Sequence, residues 1–119
     1  MESNSAVELN ELFLNALHRS SSQILTKSDE EVEYDLFEEF DSGAVSFLHE
    51  KSLARLLEHG LISLEIKNFS LALRKIALRL LEDKRDIRLV RNDEEWTGLF
   101  RLSDEILNLK NDFDKSKIK

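Results

Sequence analysis

Proline is absent from these 119 residues and glycine appears only three times, so almost nothing in the chain forces a turn or breaks a helix. Proline removes a backbone donor and clashes with the preceding helical turn, and glycine is costly to order inside a helix. A chain nearly free of both favours helices joined by short turns over a fold of many strands. The apolar residues agree. Leu9, Leu12, Phe13, Ala16, Leu17 and Ile24 recur at helical spacing. So do Ile66, Phe69, Leu73, Ile76, Ala77 and Leu80, and then Trp96, Leu99, Phe100, Ser103, Ile106 and Leu107.

Capping chemistry sets the boundaries. Ser5 with Glu8, Ser28 with Glu31, and Asn92 with Glu95 each read as a capping box, a hydroxyl or amide and a carboxylate placed to satisfy the orphan amides of a first turn. The first helix runs to about Thr26, weakened by Ser20, Ser21 and Ser22. The second opens at Ser28 and ends at Ser42-Gly43. A third spans about Glu50 to His59, preceded by an apolar turn or short helix, and Gly60 is its left-handed stop. Ser63 caps a long fourth helix. Residues 84–92 break the period and either extend that helix or form a loop anchored by Ile87 and Leu89. Leu102 and Leu109 widen the apolar arc of the final helix, which is therefore central or meets a second surface, with Trp96 buried. The expectation is an all-α, compact bundle of about five helices, one domain over residues 1–111 with a frayed tail at 112–119.

Charged residues make up 34% of the chain and hydrophobic ones 41%, which is polar for a globule, yet the regular apolar stripes supply one core. The net charge of −7 is unevenly spread. Residues 1–60 hold 13 acids and 4 bases, residues 61–119 hold 11 acids and 13 bases. Such a first half repels nucleic acid. The cluster Arg74, Lys75, Arg79, Lys84, Arg85, Arg88 and Arg91 reads as a solvated or internally paired surface facing the acidic half, ahead of an RNA-binding one. No cysteine is present, which removes disulfides, thiolate metal sites and a cysteine nucleophile, and fits a reducing cytosol. The start Met-Glu-Ser-Asn-Ser has neither a positive n-region nor an apolar h-region. No apolar run approaches the roughly 18 residues of a membrane span. The expected location is cytoplasmic, without nucleic acid or membrane as partner.

The stretch from Asp29 to Asp41 is the most telling for function: eight carboxylates, no base, and Val32, Leu36 and Phe40 every four residues with Phe37 beside them. At about 100° per residue the apolar residues make one buried stripe. Glu30, Glu31, Tyr34, Asp35, Glu38 and Asp41 then spread over the opposite side. Like charges three and four apart on a helix repel by roughly 0.2–0.5 kcal/mol per pair. Either this is simply a solvated helix, or the field is kept for a basic partner and these six residues contact it. Tyr34 favours the second reading, because tyrosine is enriched at recognition hot spots. Glu33 falls near the apolar stripe, where it either is buried with an intramolecular arginine to satisfy it or sits at the boundary.

No convergent chemistry emerges. His18, His49 and His59 lack zinc-site spacing, and no HExxH occurs. His59 suits a helix C-terminus, and His49 and Glu50 point about 100° apart on a helix. The paired carboxylates lack an EF-hand arrangement, and phosphate loops, nucleophile elbows and dinucleotide fingerprints are absent. The expectation is a protein with no catalytic residues, metal or cofactor.

Two segments carry a resemblance: Leu53-Ala-Arg-Leu-Leu-Glu-His-Gly-Leu-Ile62 followed by a long helix, and Asn92-Asp-Glu-Glu-Trp-Thr-Gly-Leu-Phe-Arg-Leu-Ser-Asp-Glu-Ile106. Over residues 48–109 the chain resembles the small acidic helical immunity proteins of bacterial contact-dependent growth inhibition and related polymorphic toxin systems. The resemblance implies a role, binding and occluding a cognate toxin, often a nuclease, and carries over no binding residue. Physics points the same way, since a nuclease cleft must attract phosphates and an acidic helix offers it a competing polyanion. The alternative is a helical regulatory or adaptor protein binding another basic protein, without toxin neutralisation.

Overall fold

The computed structural model describes residues 5–116, without the side chain of Val45. All regular structure among these residues is helical. Helix α1 spans Ala6–Arg19 and is followed by a 3-10 turn, Ser22–Thr26. Helix α2, Asp29–Glu33, runs without a break into a π-helical segment, Tyr34–Phe40, and then α3, Asp41–Ser46, so residues 29–46 form one acidic rod. Helices α4 (Glu50–Glu58), α5 (Leu64–Asp83), the short α6 (Ile87–Val90) and α7 (Glu94–Ser116) complete the chain. Counting the rod as one, five principal helices make an all-α bundle.

Local chemistry places most of the ends as expected. Both sides of the capping box are made at Ser5 with Glu8 and at Ser28 with Glu31, and Ser63 Oγ accepts from the Ile66 amide. Gly60 adopts φ 70°, with its amide donating to Leu57 and the Leu61 amide to Leu56. That is a Schellman closure, and a side chain at this left-handed position would be strained.

Helix α7 is the spine. It packs along α5 and α1 and also meets the 3-10 turn and α6. Trp96 is fully buried near its start, with the rings of Phe37 and Phe100 each 6.1 Å away. Its indole N–H donates to the Lys84 carbonyl at 3.1 Å, which satisfies the one polar atom of the largest core side chain. The core joins Leu9, Phe13 and Leu17 of α1 to Val32, Leu36 and Phe40 of the rod, and these to Leu73, Ala77 and Leu80 of α5.

Several boundaries differ from expectation, each for a tertiary reason. Helix α1 stops at Arg19 because Ser20 is buried and its hydroxyl bonds Ser103 Oγ on α7 at 2.6 Å. Ser42-Gly43 does not end the acidic helix. Gly43 is helical and lies against α1, where an added Cβ would stand 3.1 Å from Ala16 Cβ, so its value is close approach rather than a stop. Residues 84–92 contain α6, anchored by the fully buried Val90, while Leu89 is exposed. The start of α7 is capped by Asp93, not Asn92: Asp93 Oδ1 accepts from the Glu95 amide at 2.8 Å. Helix α7 also continues to Ser116, past the expected domain end at 111. Lys110 is buried there and donates to the Leu61 carbonyl and to Asp114. Residues 117–119 of the expected frayed tail lie outside the described residues, as do Met1 to Asn4.

Candidate binding surface

The eight carboxylates between Asp29 and Asp41 divide into two populations. One is consumed inside the molecule. Asp29 takes Arg91 Nε at 3.0 Å, Asp41 takes Arg85 Nη1 at 3.0 Å, and Glu39 lies 3.6 Å from Arg19 Nη2. Asp35 is the extreme case. Its two oxygens meet Arg19 Nη1 at 3.0 Å and Lys27 Nζ at 2.8 Å, and the residue is only 6% exposed. The expectation that Asp35 shares the exposed face is therefore corrected. The π turn is wider than an α turn, so three consecutive side chains, Asp35, Leu36 and Phe37, face inward where 100° spacing allows fewer. Asp41 is likewise only half exposed and already paired.

The other population stays in solvent. Glu30, Glu33 and Glu38 are exposed and have no cation within ion-pair range among the described residues. Of the two readings open for Glu33, burial with an arginine is the one the structure removes. Glu31 is exposed too, but its carboxylate also accepts from the Ser28 amide and hydroxyl. Tyr34 stands among them at 55% exposure. Glu30, Glu33, Tyr34, Phe37, Glu38 and Arg85 line an open groove of about 440 Å³. A second groove lies between Lys27, Glu30, Glu31, Tyr34 and Asp35. Glu30 and Tyr34 border both and make a ridge, an aromatic ring rimmed with carboxylates, which is complementary to lysine and arginine side chains.

Six of the seven residues of the basic cluster are engaged inside the molecule, while Lys75 is exposed. Arg91 donates to the Leu25 and Lys27 carbonyls as well as to Asp29, which ties the entry of the acidic rod to the α6–α7 connection. Arg85 lies 5.3 Å from the Phe37 ring centre and donates to the Phe37 carbonyl and to Asp41. Arg74 reaches the Ala44 carbonyl. Arg79 and Lys84 both pair with Glu95, and Lys84 bonds Asp93 at 2.7 Å. These hydrogen bonds, Lys84 for Asp93 and Arg79 ahead of Lys84 for Glu95, hold both carboxyls below their usual range. Arg88 closes on its neighbour Asp86, whose pKa its hydrogen bonds lower to about 2. The internally paired reading of this cluster is the one the geometry bears out.

His49 has a role that sequence reasoning missed. Its Nδ1 accepts from the Lys51 amide at 3.1 Å and caps α4. A histidine before a glutamate and a leucine-rich turn is the only local signal for it. No group of three His, Asp or Glu side chains converges as a metal site would among the described residues, and no helix there is long and apolar enough to cross a membrane. No protein-family model, curated protein or solved structure matches the chain.

Proposed function

We propose that this chain is an immunity protein, which binds a cognate bacterial toxin domain with a basic, nuclease-type cleft and neutralises it by covering that cleft with the Tyr34 ridge. One observation carries the reading. Of eight clustered carboxylates, Glu30, Glu33 and Glu38 keep their charge unspent around an exposed tyrosine, although the fold places arginines within reach of their neighbours. Unneutralised charge on one helical face costs local repulsion that a basic partner relieves. It also steers association and rejects acidic competitors. The choice of a toxin as that partner draws on the resemblance over residues 48–109. Glu30, Glu31, Tyr34 and Glu38 are the contact residues, Glu33 joins them, and Asp35 and Asp41 support the surface from behind. Inhibition is steric and electrostatic, with no reaction at this protein and no cofactor, in the cytoplasm where an imported nuclease would act.

The test is co-expression with any candidate toxin domain that a neighbouring gene encodes, scored for growth. Rescue by the wild-type chain and its loss in the Glu30→Lys, Glu33→Lys, Glu38→Lys variant is the expected outcome. Tight binding to a basic protein without rescue from any neighbouring toxin would instead make the chain an adaptor.

A further inference from the structure

Asp35 is the one carboxylate of the acidic rod that is buried, and it sits in the π-helical stretch of the described residues. We infer that Asp35 is a positioning residue: its double ion pair pins residues 34–40 in the π register, and that register sets where Tyr34 and Glu38 stand relative to Glu30 and Glu33. The inference rests on the partner-binding reading only for what the surface is used for. The register itself is a property of the free protein.

Three observations converge. A buried carboxylate is tolerable only when paired and hydrogen-bonded, and each Asp35 oxygen has its own cation, Arg19 from the end of α1 and Lys27 from the close of the 3-10 turn. The pin therefore joins three elements. Second, the backbone at the far end of the segment is rerouted. The wide segment closes on a tight turn: the Asp41 amide donates to Glu38, three residues back, where an α turn would send it to Phe37. Third, the Phe37 carbonyl is taken instead by the Arg85 guanidinium, which also holds Asp41 and lies over the Phe37 ring. The wide turn is thus fastened at its start by an acid reaching inward and at its end by a base reaching in from residue 85. Returning the segment to α pairing would turn Asp35 toward solvent, free Arg19 and Lys27, and rotate Glu38 and Tyr34 away from their present spacing. Single-turn π segments inside α-helices are often found at functional sites.

Nuclear magnetic resonance couplings through hydrogen bonds identify which carbonyl each amide pairs with, and the measurement needs no ligand. In the wild-type chain the Phe40 amide should couple to the Asp35 carbonyl, five residues back, as π pairing requires. In Asp35→Ala that coupling should be lost and one to the Leu36 carbonyl, four residues back, should appear, while Arg19→Lys, which keeps a cation at the pin, should retain the wild-type pattern. Asp35→Asn, nearly the same shape without the charge, provides the reading if the alanine variant does not fold. Wild-type pairing in both Asp35 variants would overturn the inference, as would α pairing in the wild-type chain. Growth rescue plays no part in this readout, so the inference and the toxin reading fail separately.

Discussion

The acidic stretch at 29–41 and the basic stretch at 84–91 look like mirror images in sequence, but the fold uses them differently. Arg85 reaches back to a carbonyl and a carboxylate of the acidic rod, Arg91 to the Leu25 and Lys27 carbonyls just before the rod and to Asp29 within it, and Arg88 closes on Asp86. The basic stretch is a clamp. The acidic stretch supplies the other half of that clamp with Asp29 and Asp41 and pins itself with Asp35. It still holds Glu30, Glu33 and Glu38 in reserve. Charge density alone does not mark a binding surface. The proposed surface rests instead on the charge left over after the fold has drawn its own pairs.

That contrast can be broken in several ways. The basic connection is anchored by Trp96, whose indole holds the Lys84 carbonyl, so Trp96→Ala should cost about 3–5 kcal/mol in chemical denaturation. A cost under about 1 kcal/mol would mean that the clamp has no anchor in the core. Arg91→Ala removes three hydrogen bonds at the surface and should cost about 1 kcal/mol. If it is neutral, the basic stretch is decoration and the comparison collapses.

A smaller, graded effect should follow pH. Asp93 and Glu95 have folded pKa values lowered by Lys84 and Arg79. Groups depressed on folding stabilise fully above the ordinary carboxylate range and lose that contribution as pH falls through their folded values. Thermal stability should therefore decline below about pH 4.5, the ordinary value for a glutamate. The Asp86 contribution should be lost as pH falls to about 2. These groups are solvent-screened, so the slope should be shallow, and Glu95→Gln should flatten part of it. An acid limb identical in that variant would show that the α5–α7 ion network adds nothing.

The smallest stability change should come from the ridge. Glu30→Lys, Glu33→Lys and Glu38→Lys together should leave stability unchanged or raised by no more than about 0.5 kcal/mol, because they remove like-charge repulsion and break no pair. A substantial loss would reveal that these acids serve the fold after all.

How much of this was legible in the sequence divides along the same line. Capping at Ser5, Ser28 and Ser63 and the glycine stop at Gly60 depend on neighbours a few residues away, and the place of Trp96 in the apolar stripe of α7 marks it for burial, so pattern alone conveys them. Asp93 displaced Asn92 as cap because Glu95, the supposed reciprocal partner, is drawn off by Arg79 and Lys84. Gly43 looked like a stop because its contact with Ala16 lies 27 residues away in sequence. Asp35 was misplaced because a uniform 100° step contains no π turn, and the cations that bury it come from α1 and the 3-10 turn. For the candidate surface, four of the six residues read from sequence stand exposed, and the two that do not are those with partners elsewhere in the chain.

The most direct test of the central claim is the association rate of the wild-type chain and the Glu30→Lys, Glu33→Lys, Glu38→Lys variant with the toxin domain identified by growth rescue, measured across a salt series. The wild-type rate should fall steeply as salt rises, and the variant should associate at least about tenfold more slowly at low salt, with little salt dependence left. Equal rates for the two proteins at low salt, with both folded, would contradict it.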